Sequence, residues 1–180
     1  MTNTDPLFIR DCRPDDLAAV TAIYRETVLF GTASFELVPP DQDEIARRHA
    51  ALLAAGHVWL VAERAGAVVG YAYESAYRPR PAYRWTVENS VYVDAPARGS
   101  GIGRRLLAAL IDAATERGFR QMIAVIGDSA NIASRRLHEG AGFSPVGTFR
   151  HVGWKHGQWL DTVLMQRALG PGNSMDAADR

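Results

Sequence analysis

The chain has 180 residues, 47 % of them apolar and 22 % charged, which fits one soluble domain and excludes a disordered, collagenous or coiled-coil chain. Twenty basic residues offset twenty acidic ones, so the basic footprint of a nucleic-acid binder is absent and any anionic ligand must be gripped by a local cluster. The single Cys12 excludes an intrachain disulfide, and without an apolar leader or a run of about 18 apolar residues the expectation is a cytoplasmic protein that does not enter a membrane.

Residues 7–9 are a short apolar run that predicts a strand. Pro14, Asp15 and Asp16 then open a segment that places Leu17, Val20, Tyr24 and Val28 on one helical face. Residues 31–40 interrupt that spacing, and acids at 41, 43 and 44 start a second helix that runs to Ala55 and stops at Gly56. Residues 57–63 and 68–77 are β-rich and joined by a hairpin over 64–67, where Gly66 can take a positive φ. Residues 85–93 extend this sheet until Asp94-Ala95-Pro96 ends it.

Over 101–117, Ile102, Leu106, Leu107, Leu110, Ile111 and Ala114 form one stripe. Arg104, Arg105, Asp112 and Glu116 form the other, and Gly118 closes the helix. Residues 121–126 follow as an apolar strand, and a strand, crossover helix, strand sequence implies a parallel pair. Asp128 or Ser129 is expected to cap a helix over 130–141, and strands over 144–152 and 158–166 meet near His156-Gly157. The pattern is one α/β domain with a mixed sheet.

Between the third long strand and the striped helix lies Arg98-Gly99-Ser100-Gly101-Ile102-Gly103-Arg104-Arg105. Glycines there let the chain turn sharply and bring backbone N–H groups to a phosphate, while the helix start adds about half a positive charge. The segment lacks the Gly-Lys-Ser/Thr of a nucleotide P-loop, and its third glycine falls one residue early for a dinucleotide-binding loop. A pyrophosphate of another kind is the natural guest; a tight turn without a ligand is the plainer alternative.

Arg-x-x-Gly-x-Gly after Val91-Tyr92-Val93, with Asn131, Arg136-Leu137-His138-Glu139 and Gly142-Phe143, resembles the GNAT acyltransferase superfamily. Residues 83–93, 124–127 and 155–161 narrow the resemblance to phosphinothricin N-acetyltransferases and related methionine sulfone or sulfoximine acetyltransferases. It spans residues 7–169, with 170–180 left as a disordered tail. The resemblance implies a GNAT fold, a mostly antiparallel mixed sheet of about seven strands flanked by about four helices. It also implies acetyl transfer from acetyl-CoA to the α-amine of a small amino-acid analogue, by direct attack in a ternary complex.

An ammonium must lose a proton before it attacks a thioester, and Glu88, among Trp85, Val87, Val91 and Tyr92, is the expected base. His138 is the second expected catalytic group, as acid for the departing sulfur or as a second base. Coenzyme contacts are expected from Val91, Tyr92 and Val93, from Arg98, Gly99, Ser100, Gly101, Ile102, Gly103 and Arg104, with Arg105 also available, and from Asn131. An acceptor bearing a carboxylate calls for a cation and aromatic walls, expected at Arg80, Arg78, Tyr83, Tyr73 and Phe35. His49, His57, His151 and His156 show no metal-binding spacing, and no metal is expected. A homodimer through the aromatic C-terminal strands is expected. Other amine acceptors (an aminoglycoside, a polyamine or a protein N-terminus) and a non-catalytic coenzyme-binding module remain the alternatives.

Overall fold

The computed structural model describes residues 5–174. Its strands are β1 (Leu7–Asp11), β2 (Trp59–Arg64), β3 (Ala67–Ala76), β4 (Thr86–Val93), β5 (Gln121–Gly127), β6 (Ser144–Lys155) and β7 (Gln158–Ala168). They form one sheet in the order β1-β2-β3-β4-β5-β7-β6. All neighbours pair antiparallel except β4 and β5, which are parallel as the crossover helix between them requires. The β2–β3 hairpin turns on Ala65 (φ 50°) and Gly66 (φ 76°); two successive positive φ values match the twist of the strands they join.

Helices α1 (Leu17–Phe30) and α2 (Gln42–Ala54) cover one face, packing Val20, Val28 and Ile45 against Trp59, Val61 and Tyr71. Helix α3 (Ile102–Glu116) covers the other with Leu106, Leu107 and Leu110 fully buried, each worth about 1.5–3 kcal/mol of burial. Helix α4 (Ile132–Gly140) lies on that same face, its Leu137 against the α3 core.

Three local expectations change. Helix α4 is capped by Asn131, whose Oδ1 accepts from Ser134 N at 3.1 Å, and not by Asp128 or Ser129. Asp128 instead accepts from Thr32 Oγ1 and Ala130 N, and Ser129 Oγ donates to Asp161. Strand β6 runs on to Lys155 through a register shift between Phe149 and Gly153. Of the tail from residue 170, Gly170–Ser174 lie in turns with Gly172 buried, and residues 175–180 lie outside the described residues.

One departure from regular pairing matters for function. β4 and β5 are in register only from Thr86↔Gln121 to Asn89↔Ala124, and then part.

Candidate active site

A cavity of about 630 Å³ opens at this parting, walled by Val91–Val93 of β4, the start of α3, α4 and the C-terminal end of α1. A chamber of about 60 Å³ continues inward between the diverging strands, sharing Ala33, Val91, Tyr92, Asn131 and Ser134 with the outer cavity. Asp94 N–H donates to Val69 and Tyr77 N–H to Thr86, which fixes the alternation along β4. Odd-numbered β4 residues therefore turn their N–H groups away from β3, so Val91 N–H points into the parting with no β5 partner beyond Asn89↔Ala124.

The glycine segment forms the outer end. Gly99 (φ 76°) and Gly101 (φ 81°) both take left-handed conformations, and Gly101 is the N-cap of α3 without any side-chain cap. The first intrahelical bond is Arg105 N–H to Gly101 O, leaving the N–H groups of Ile102, Gly103 and Arg104 without helical acceptors where the helix dipole is positive. Gly103 is different: it lies within the helix without a positive φ, and a Cβ there would meet Leu137 at an ordinary 3.5 Å, so neither the turn nor the packing requires glycine.

Every residue expected to hold the coenzyme walls the outer cavity except Arg105 and Ser100, whose hydroxyl donates to Ala97 O at 2.6 Å. Arg98 spans the rim, its guanidinium donating to Val93 O and pairing with Glu26 at 3.3 Å, an exposed contact that an anion can displace. Arg105 points elsewhere and donates to Leu7 O at 2.8 Å.

His138 is 4 % exposed and walls the inner chamber. Its Nε2 is 2.9 Å from Asn89 Oδ1 and its Nδ1 2.8 Å from Ser134 O, while Asn89 Nδ2 donates to Ile123 O and so fixes the amide orientation. A neutral imidazole has one N–H for two carbonyl acceptors. Burial pushes the His138 pKa down while the Ser134 carbonyl opposes it. Burial thus favours the neutral ring, while the two carbonyl oxygens would each receive an N–H if it gained a proton.

Glu88 lies one residue before Asn89, half-buried on the opposite face of β4. Burial raises its carboxyl pKa, and the nearby Arg78 charge partly offsets this. Ser90 and Tyr92 share its face, with Tyr73 of β3 paired to Ser90 in register. Tyr73 and Tyr92 both hydrogen-bond Ser90, and Tyr24 bonds Ser34 at 3.0 Å; burial raises the pKa of Tyr73, carries Tyr92 well above the usual tyrosine value, and brings Tyr24 to about 12.

The expected acceptor residues fall in two groups. Arg78, Arg80 and Tyr83 are exposed on the β3–β4 connection, where Arg78 stacks over Tyr77 at 5.0 Å and Tyr83 meets Tyr77 edge-on. Phe35 sits across the sheet on the 31–41 connection, with its ring against Gly127 and Gly153. No contact between the groups is recorded among the described residues. Residues that the sequence did not single out include Asn89, Glu26, Lys155 and Arg48, which pairs with Glu36 at 2.7 Å. Asn89 alone left a signal: it is polar at a β4 position whose parity mates Val87, Val91 and Val93 face the core.

Among the described residues no group of three or more His, Cys, Asp or Glu could hold a metal ion, and no helix is long and apolar enough to cross a membrane.

Residues 17–143 match the family model described as acetyltransferase (GNAT) family. The chain is 52 % identical over 166 residues to a phosphinothricin N-acetyltransferase of Alcaligenes faecalis, covering 92 % of this chain and 84 % of that protein. It is 42 % identical over 170 residues to an L-methionine sulfoximine/L-methionine sulfone acetyltransferase of Pseudomonas aeruginosa, covering 92 % and 96 %. Among solved structures it is similar to a GNAT superfamily phosphinothricin acetyltransferase from Sinorhizobium meliloti in complex with AcCoA, with TM-score 0.93, 46 % identity, and coverage of 96 % and 94 %.

Proposed function

This chain belongs to the GNAT family of acetyltransferases, and from that membership we propose that it transfers acetyl from acetyl-CoA to the α-amine of a small amino-acid analogue with Glu88 as base. The acceptors are of the phosphinothricin, methionine sulfoximine or methionine sulfone type, as in the relatives. One observation carries the reading: β4 supplies both an N–H aimed at the cavity, at Val91, and, three residues earlier and on the opposite face of the strand, a half-buried carboxylate with a raised pKa, at Glu88.

Acetyl-CoA supplies an acetyl group already activated as a thioester. The unpaired N–H groups of Ile102, Gly103 and Arg104 hold its diphosphate, with Arg98 and Arg104 at the rim. Asn131 spends its oxygen on the α4 cap, which leaves its amide N–H groups for the pantetheine arm. Val91 N–H donates to the thioester oxygen as negative charge builds there. Arg78 and Arg80 attract the acceptor's carboxylate, with Tyr73, Tyr83 and Phe35 as walls. Glu88 takes a proton from the acceptor's ammonium, a task for which its raised pKa suits it. His138 walls the inner chamber with both ring nitrogens held by carbonyl oxygens, so it acts as acid or second base only where one of those hydrogen bonds yields to the reacting group.

The protein acts as a homodimer. β6 is an edge strand whose residues 144–154 are exposed or half-exposed on both faces, including Val146, Phe149, Val152 and Trp154, an apolar edge that a second copy would cover. Its use of acetyl-CoA and its free buried Cys12 are in keeping with the cytoplasm.

The test follows thiol release from acetyl-CoA with phosphinothricin, methionine sulfoximine, methionine sulfone, spermidine and an aminoglycoside. Turnover is expected on the amino-acid analogues alone. Turnover on the polyamine or aminoglycoside in preference to them would reverse the assignment, because two arginines at the acceptor side repel a polycation.

A further inference from the structure

Lys155, the last residue of β6, is 3 % exposed although the rest of that strand is open to solvent. Its Nζ donates to Ser34 O at 2.6 Å, across 121 residues of sequence. Burial lowers its pKa, and the Glu36 charge pulls the other way. A buried ammonium persists where its hydrogen bond fixes something that an apolar side chain would leave loose.

What it fixes is the stretch 32–36. Thr32 Oγ1 donates to Asp128, the Phe35 ring presses on Gly127 and Gly153, and Ser34 Oγ meets Tyr24 OH and accepts from Glu36 N. The approach is close: a Cβ on Gly127 would lie 2.6 Å from Ala33 O. The same stretch lends Thr32 and Ala33 to the outer cavity and Ala33 to the inner chamber, so its position shapes both.

We propose that Lys155 is a positioning residue that clamps residues 32–36 over the end of β5 as a fixed wall of the acceptor site. This rests on the acetyl-transfer reading for its kinetic consequence and on geometry alone for the clamp. Lys155→Met removes the donor. Gly153→Ala reaches the same wall independently, because the added Cβ overlaps the Phe35 ring while Gly153 carries no positive φ.

Hydrogen exchange on the full chain reads the clamp without any substrate. Amides of 32–36 should exchange about tenfold faster in both variants, with those of α1 and α3 unchanged. With an amino-acid analogue, acceptor KM should rise by about tenfold or more while kcat stays within about threefold. Unchanged exchange over 32–36 in a folded Lys155→Met protein overturns the proposal, as does a loss confined to kcat. If Lys155→Met does not fold, the same two readouts on Lys155→Gln decide it. A wild type inactive on every amino-acid analogue would sink the acceptor reading, while exchange would still decide the clamp.

Discussion

Glu88 is held in an environment that favours its proton, and that preference has a cost for stability. Its folded pKa lies above the unfolded value, so its contribution to stability is fully present below the unfolded pKa and is lost as pH rises through the folded one. At neutral pH the native state carries a half-buried carboxylate it would be more stable without. Glu88→Gln should therefore raise the melting temperature at pH 7, and the gain should shrink as pH falls towards about 4, where an unperturbed carboxyl is itself half protonated. Melting curves at pH 7 and pH 4 measure this; a lower melting temperature for the variant at pH 7 would show that Glu88 is not the strained group described. Asn89 behaves differently, since its amide bonds His138 on one side and Ile123 O on the other. Asn89→Leu leaves His138 Nε2 without its oxygen and should destabilise the fold by about 1–3 kcal/mol, read by denaturant titration.

At the scale of elements, the glycine segment divides into residues whose positive φ turns the chain and one, Gly103, that the helix would accept as alanine. Gly101→Ala places a Cβ at φ 81° and should cost about 1–2 kcal/mol, weakening acetyl-CoA binding by about tenfold as the α3 start shifts. Gly103→Ala adds a Cβ at ordinary distance from Leu137 inside a helix and should leave both nearly unchanged. Calorimetric titration with acetyl-CoA separates the two; equal losses would mean that the close approach at Gly103 matters as much as the turn. The glycine spacing and the stripe of α3 were legible because they are local, with glycines at sharp turns and leucines at helical intervals. The β4 strand was legible for the same reason. The α4 cap was not, because Ser129 is claimed by Asp161 and Asp128 by Thr32, partners 32 and 96 residues away. Arg105 reads as a phosphate ligand from its neighbours alone, whereas a carbonyl 98 residues distant holds it. Lys155 reads as an ordinary surface cation until the Ser34 carbonyl is set beside it.

For the whole molecule, the sheet is finished at β1 and unfinished at β6. β1 is short and its Arg10 bridges Asp16 at 2.7 Å and Glu63 at 2.7 Å, charges that blunt an edge. β6 ends the opposite side with exposed valine, phenylalanine and tryptophan. Phe149→Asp with Trp154→Glu should convert a dimer to a monomer in sedimentation equilibrium, because like charges would meet across a two-fold contact; a wild type that is monomeric at micromolar concentration would remove the interface. The candidate site lies at the centre of this sheet, where β4 and β5 part and both helical layers reach the opening.

The claim on which the rest depends is proton removal by Glu88, and the pH dependence of kcat/KM for methionine sulfoximine, compared between wild type and Glu88→Gln, tests it most directly. Wild type should lose activity on the acid side with an apparent pKa above the ordinary carboxylate range. In the variant that limb should vanish and the rate at neutral pH should fall by about a hundredfold. A variant that kept the wild-type rate and the same acid limb would contradict the account.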